Sequence, residues 1–312
     1  MRVTSSSRSA ESERSMNEIS SGARSRTVNT SHGVLAVEER GEHGLPVLFI
    51  HGNSSCRAVF DAQMNGPLAA QHRLIAIDLP GHGESGDAFD PIRTYTRPGL
   101  AEAIGEALEK LDVREIVVVG WSLGGHVAIQ MLAASTKIRG LMIVGAPPIG
   151  PDGWAQGFVQ SPHPSLAARQ DWSAADADAF LTTILGRLPE QRLRDAALRT
   201  DGRMRKRLFE AARAGLGVDQ RRTVESSRIP LAVVNGAADP LIKLDYFDTV
   251  AYANLWEGRC HRLPGAGHAP FWEAPDEFAP LLQRFLLDIR RHSAPAESTP
   301  NDSTRSDVVS PE

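Results

Sequence analysis

Five short, wholly apolar runs, each closed by turn residues, constrain what this chain can fold into more than anything else in it. They are residues 46–50, ending at His51-Gly52, and residues 74–77, ending at Asp78-Leu79-Pro80-Gly81. Residues 116–119 end at Gly120, residues 141–144 at Gly145-Ala146-Pro147, and residues 231–234 at Asn235-Gly236. A strand that is apolar on both faces needs cover on both faces, as in a parallel sheet held between helices. A further run, residues 34–38, alternates instead and reads as an antiparallel edge strand.

Helical periodicity fills the gaps. Residues 98–111 carry Leu100, Ala103, Ile104, Ala107, Leu108 and Leu111 on one face, and residues 278–289 carry Leu281, Leu282, Phe285, Leu286 and Ile289. Residues 123–134 are apolar nearly all round and read as a buried helix. Strand and helix alternating in this way predict a doubly wound α/β core over residues 28–149 and 228–292. Between them, residues 150–227 lose the strand runs and become rich in Ala, Leu and Arg, a stretch too long for a loop. They are expected to form an inserted helical cap.

Within this frame the most specific signal is Gly120-Trp121-Ser122-Leu123-Gly124-Gly125, a G-x-S-x-G sequence between an apolar strand and an apolar helix. A strained turn there lifts the serine hydroxyl off the sheet, beside a helix N-terminus that favours negative charge. Serine is a weak nucleophile and needs a base oriented by an acid. Asp239, in the loop after residues 231–234, and His268, in Pro264-Gly265-Ala266-Gly267-His268, lie in the order Ser, acid, His and at strand ends. The triad Ser122, Asp239 and His268 is therefore expected. The N–H groups of Leu123 and Asn53 are the candidate oxyanion donors, Asn53 coming from His51-Gly52-Asn53-Ser54-Ser55.

Other titratable groups rank lower. His51 and His82 sit in tight strand-end loops and read as structural, and His126 is expected to point away from the hydroxyl. Asp78 reads as a turn residue, and Glu273 and Asp276 as acids at a helix N-terminus. The basic stretch Arg203, Arg205, Lys206 and Arg207 lies near Asp201 and Glu210 and reads as a solvated helix face.

Composition narrows the partners. A net charge of −4 gives no reason to expect a nucleic acid. The two cysteines, Cys56 and Cys260, have no CxxC spacing and imply neither a disulfide framework nor a zinc site. No apolar run is long enough to cross a membrane and no secretory pattern opens the chain, so a cytoplasmic protein without membrane partner is expected. Residues 1–27, dominated by Ser, Arg and Glu, and residues 293–312, with three prolines, read as disordered tails. Nothing in the sequence fixes an oligomeric state.

Residues 48–55, 78–85, 120–126 and 265–275 resemble the α/β-hydrolase superfamily. Within it the chain is most similar to the N-acyl-homoserine lactonases built on this fold. The similarity is carried by His51-Gly52-Asn53-Ser54-Ser55, residues 78–85, 119–126, 140–143 and 200–203, Val233-Val234-Asn235-Gly236, residues 254–258 and Gly267-His268-Ala269-Pro270-Phe271. It spans about residues 30–290 and implies an α/β-hydrolase fold: a mostly parallel central sheet flanked by helices, with a helical cap. It implies a serine hydrolase that opens the lactone ring of bacterial quorum-sensing signals through an acyl-enzyme, with no cofactor. The metal-dependent lactonases carry an H-x-H-x-D-H run, which this sequence lacks, so no metal is expected. Where the lactonase acid is a glutamate this chain has Asp239, whose shorter side chain requires a closer loop. Where the lactonase presents a tyrosine hydroxyl to substrate this chain has Phe180, which loses a hydrogen bond.

Gly52, Asn53, Trp121, Trp154, Phe158, Phe180 and Ile184 are the expected substrate contacts, the cap aromatics and Ile184 lining an acyl-chain pocket. Two other readings of the same machinery stand: a carboxylesterase of broader range, and a ligand-binding receptor with slow turnover. Epoxide hydrolases and dehalogenases of this fold need an aspartate where Ser122 stands.

Overall fold

The computed structural model describes residues 22–151, 153–160 and 165–293. The disordered-tail reading of residues 1–21 and 294–312 lies outside them. Eight strands form one sheet in the order β1-β2-β4-β3-β5-β6-β7-β8. They are β1 (Arg24–Thr30), β2 (Gly33–Arg40), β3 (Val47–Ile50), β4 (Leu74–Ile77), β5 (Ile116–Trp121), β6 (Ile138–Val144), β7 (Leu231–Gly236) and β8 (His261–Leu263). The pairings β1–β2 and β2–β4 are antiparallel, and every other neighbouring pair is parallel.

Two expectations are corrected here. Residues 24–27, assigned to the tail, begin β1, which pairs with β2 along its whole length. The edge strand is therefore β1, and residues 34–38 lie in β2, one strand further in. Most of β1 is exposed, so it has no apolar run to reveal it.

The all-apolar strands behave as their pattern requires. Successive side chains alternate between faces, and Leu48, Ile50, Ile75, Ile77, Val118, Leu141 and Ile143 enter one core. Val47, Phe49, Leu74, Ala76, Val119, Met142 and Val144 enter the other. The first core is closed by α1 (Arg97–Lys110), through Leu100, Ala103, Ile104 and Ala107, and by α2 (Leu123–Ala134), through Val127, Ala128 and Met131. Thr96 starts α1 by accepting the Gly99 N–H at 3.0 Å, with proline in the first turn.

Between β6 and β7 the described residues form no strand. They include α3 (Ala174–Leu185), α4 (Gln191–Arg199), α5 (Gly202–Arg213) and α6 (Gln220–Ser226). Ser173 and Asp176 form a capping box on α3, while Asp201 and Asp219 cap α5 and α6. The second core is closed by Leu181, Ile184 and Leu185 of α3 and by Phe278, Leu282, Phe285 and Leu286 of α7 (Pro275–Ser293). Among the described residues no helix is long and apolar enough to cross a membrane.

Candidate active site

Sheet order places the site. From β3 the chain moves outward to β4, then returns to β5 on the other side of β3. The C-terminal ends of β3 and β5 thus flank the point where strand order reverses, where α/β sheets open a crevice. Asn53 lies just past the end of β3, and Ser122 directly follows β5.

Ser122 has φ 52° and ψ −117°, a conformation costly for a residue with a Cβ. Its surroundings hold it there: its N–H donates to the Val144 carbonyl at 2.8 Å, and its carbonyl accepts the Gly125 N–H at 3.0 Å. The turn is possible only with glycine neighbours. A Cβ at Gly120 would meet the Gly124 carbonyl oxygen at 2.5 Å, and one at Gly124 would meet the Ile50 oxygen at 2.1 Å. Ser122 occupies the N-cap position of α2, yet its side chain makes no capping bond. The hydroxyl is therefore free for other chemistry.

His268 is built against this turn. Its Nδ1 lies 2.7 Å from Asp239 Oδ2, and neither side chain is more than 2% exposed. The Trp121 indole N–H donates to the His268 carbonyl at 2.9 Å. Its ring packs on Gly145, the residue after the Val144 carbonyl that holds Ser122, and a Cβ on Gly145 would stand 2.7 Å from His268 Cε1. Gly145 also has φ 59°. We expect Gly145→Ala to displace the imidazole and lower kcat by about 100-fold, as misplacement of roughly 1 Å does. Steady-state rates on an ester substrate check this, and an unchanged kcat would contradict it.

The loops that carry Asp239 and His268 are locked from behind. Asp239 Oδ1 accepts the Leu241 N–H at 2.9 Å, leaving Oδ2 for the histidine. Glu273 accepts the N–H groups of Gly267 and Ala269, on either side of His268, at 2.9 and 3.0 Å. Its carboxylate thus holds the histidine loop, a more specific task than the helix-end role read from sequence. Asp239 reaches His268 at hydrogen-bond distance.

The loop after β3 is fixed by two neutral imidazoles. His51 Nε2 accepts the Leu79 N–H at 3.0 Å, so Nδ1 carries the proton and donates to the Gly52 carbonyl at 2.7 Å. His82 Nε2 accepts the Ser54 N–H at 3.2 Å, and its Nδ1 donates to the Pro80 carbonyl at 3.1 Å. Burial holds both below the usual histidine value of 6.5, which preserves the acceptor lone pairs. Asp78 is taken up by its own turn and by Arg57: it accepts from the Arg57 guanidinium, from the Arg57 N–H at 2.6 Å and from the Glu84 N–H at 2.9 Å. Among the described residues no hydrogen bond takes the N–H of Asn53 or Leu123. Gly52 lies over the turn, where a Cβ would meet the Trp121 ring at 3.0 Å and the Ser122 Cβ at 3.3 Å.

His126 is held by Gln220. The Gln220 amide donates to the His126 carbonyl at 3.0 Å, so its oxygen must face Nδ1, at 2.8 Å, and Nδ1 carries the proton. Burial pushes the His126 pKa down to about 4. Burial pushes both thiols up, Cys56 to about 12 and Cys260 to about 11, which disfavours their thiolates.

The expected substrate contacts divide. Trp154, 43% exposed, stacks on Phe158 at 4.0 Å, and Phe158 lies 6.0 Å from His126. Half-buried Phe180 packs on Trp172 at 4.9 Å. Trp121 and Ile184 depart from expectation. Trp121 is fully buried between His268 and Phe271, and Ile184 is 3% exposed in the second core, so both pack rather than face the crevice. Arg205 also departs: it is 2% exposed, not part of a solvated face. Its sequence signal was its place beside the apolar stripe Met204, Leu208 and Ala211.

An alpha/beta hydrolase family model matches residues 47–281. Among solved structures, the N-acyl homoserine lactonase AidH complexed with N-butanoyl homoserine is 44% identical, with a TM-score of 0.83 over 85% of this chain and 97% of that one. The pimeloyl-(acyl-carrier protein) methyl ester esterase of Xanthomonas axonopodis pv. citri (strain 306) is 29% identical over 264 residues, 79% of this chain and 97% of that protein. The esterase RhEst1 from Rhodococcus sp. ECU1013, 24% identical with a TM-score of 0.70, covers 86% of this chain and 99% of its own, and shares the fold.

Proposed function

The chain belongs to the alpha/beta hydrolase family and acts on ester bonds, and from that footing we propose that it opens the lactone ring of N-acyl homoserine lactones through an acyl-enzyme on Ser122. One observation carries the reading: 44% identity along nearly the whole length of a lactonase of that class. The site geometry supports it, with a serine hydroxyl that makes no capping bond, a carboxylate-oriented imidazole, and N–H groups of Asn53 and Leu123 that no hydrogen bond takes among the described residues.

In this mechanism Asp239 fixes the His268 tautomer with the proton on Nδ1, leaving Nε2 to accept the Ser122 proton. The serine oxygen adds to the ring carbonyl, and the N–H groups of Leu123 and Asn53 stabilise the oxyanion. Collapse breaks the ring C–O bond, and His268 returns its proton to the departing oxygen. That hydroxyl stays tethered to the acyl group, so ring closure competes strongly with release. Water activated by His268 then cleaves the acyl-enzyme. No metal takes part in these steps. The inserted helices serve as a cap, with Trp154, Phe158 and Phe180 beside the acyl chain.

A second reading, a carboxylesterase of broader range, is favoured by Phe180, which offers no hydroxyl to a lactone. Mass spectrometry of products from a panel of acyl homoserine lactones and simple aryl and methyl esters separates the two. The expected result is ring-opened N-butanoyl and N-hexanoyl homoserine as the preferred products, at a rate that a chelator leaves unchanged. Cleaved esters beside untouched lactones would overturn the lactonase reading.

A further inference from the structure

Arg205, on α5, is a buried cation without a carboxylate partner among the described residues, although unpaired buried charges are expensive. The nearby acid Asp201 is engaged with Arg203 at 2.7 Å and with the Tyr95 hydroxyl at 2.6 Å. What compensates Arg205 is a set of neutral acceptors. Its Nε donates to the Arg169 carbonyl at 2.9 Å and one terminal nitrogen to the Gln170 carbonyl at 2.8 Å. The other terminal nitrogen donates to Ser54 Oγ at 3.2 Å, and the guanidinium lies 4.1 Å over the Trp172 ring.

Those partners belong to two parts of the molecule. Residues 165–172 are part of the inserted helical segment, while Ser54 sits in the loop after β3. The two are joined a second time by the Asn53 side-chain amide, which donates to the Ala167 carbonyl at 2.9 Å. Ser54 is itself strained, with φ 52°, and fully buried. Its hydroxyl donates to Asn53 Oδ1 at 3.1 Å while accepting from Arg205. Arg205, Ser54 and Asn53 therefore form one chain of hydrogen bonds that ends at a residue whose backbone N–H takes no hydrogen bond among the described residues.

We propose that Arg205 is a positioning residue for the oxyanion site: it clasps the 165–172 segment to Ser54 and so fixes the direction of the Asn53 N–H. The proposal rests on Asn53 being an oxyanion donor, and it holds for any carbonyl ester this enzyme cleaves. Its second effect is electrostatic. A buried positive charge beside the loop favours the negative charge that develops there, since low polarity strengthens such interactions. The same charge helps keep His82 neutral, so that its lone pair continues to hold the Ser54 N–H. Burial pushes the Arg205 pKa down to about 10, so the side chain stays charged at neutral pH.

The test compares Arg205→Lys and Arg205→Met with the parent enzyme on an aryl butanoate and on N-hexanoyl homoserine lactone, with rates normalised to titrated active sites. Arg205→Lys keeps the charge and loses the fork; Arg205→Met removes both. The expected result is a fall in kcat of about 10-fold for lysine and about 100-fold for methionine, with KM within about twofold. Ser54→Ala should reproduce part of the loss and be non-additive with Arg205→Lys. An unchanged kcat per active site in Arg205→Lys, or losses that add in full, would overturn the proposal. If Arg205→Met does not fold, the lysine and Ser54 variants decide it. Because the ester alone suffices, a parent enzyme inactive on the lactone would remove the lactonase reading and leave this test intact.

Discussion

Replacing Ser122 by alanine is expected to lower kcat by a factor on the order of 10⁴–10⁶, the range in which removal of a serine nucleophile leaves only binding and oxyanion stabilisation. Stability should scarcely change. The hydroxyl makes no capping bond, and the strained backbone conformation, held by the Val144 and Gly125 hydrogen bonds, is the same for alanine. Parallel measurement of turnover and thermal midpoint checks this. Undiminished turnover in a folded Ser122→Ala protein would remove the mechanism.

Asp239→Asn is expected to cost about 10⁴ in kcat through the wrong histidine tautomer. The reason lies in the Leu241 N–H, which donates to Asp239 Oδ1 at 2.9 Å. An asparagine keeps that bond only by turning its oxygen to Leu241, which aims its NH₂ at His268 Nδ1. Nδ1 must then accept, the proton moves to Nε2, and the base can no longer take the serine proton. Asp78→Asn makes the contrasting control. It disturbs a buried pair with Arg57, so the loss should be in stability, on the order of 3–5 kcal/mol, rather than in the chemical step. Comparing kcat per active site in the two variants decides the matter, and a larger catalytic loss in folded Asp78→Asn would transfer the role to Asp78.

The sheet was legible because burial on both faces leaves a compositional mark. Leu48 and Ile50 feed one core and Val47 and Phe49 the other, so the strand can contain no polar residue. The Ser122 turn was legible because its glycines are steric necessities. What escaped notice depended on long-range contact. Strand β1 is held mainly by backbone pairing to β2 and shows solvent a mostly polar surface, so it reads like a tail. Trp121, next to Ser122 in sequence, looked like a substrate contact, but His268, 147 residues later, and Phe271 just beyond it pack on the ring and bury it. Arg205 looked solvated because its neighbours along the helix are charged, and the carbonyls that receive it lie about 35 residues away. Glu273 could not be connected with its loop from composition, since any acid at a helix start carries the same signature.

The most direct measurement is titration of the enzyme with a fluorophosphonate, whose tetrahedral adduct resembles the oxyanion stage of ester cleavage. Residual hydrolysis of N-hexanoyl homoserine lactone is followed against the fraction of Ser122 modified, read by peptide mass spectrometry. The expected result is a straight line falling to zero activity at complete modification of that one residue. Lactone opening that survives full modification of Ser122, or activity lost while Ser122 remains unmodified, would contradict it.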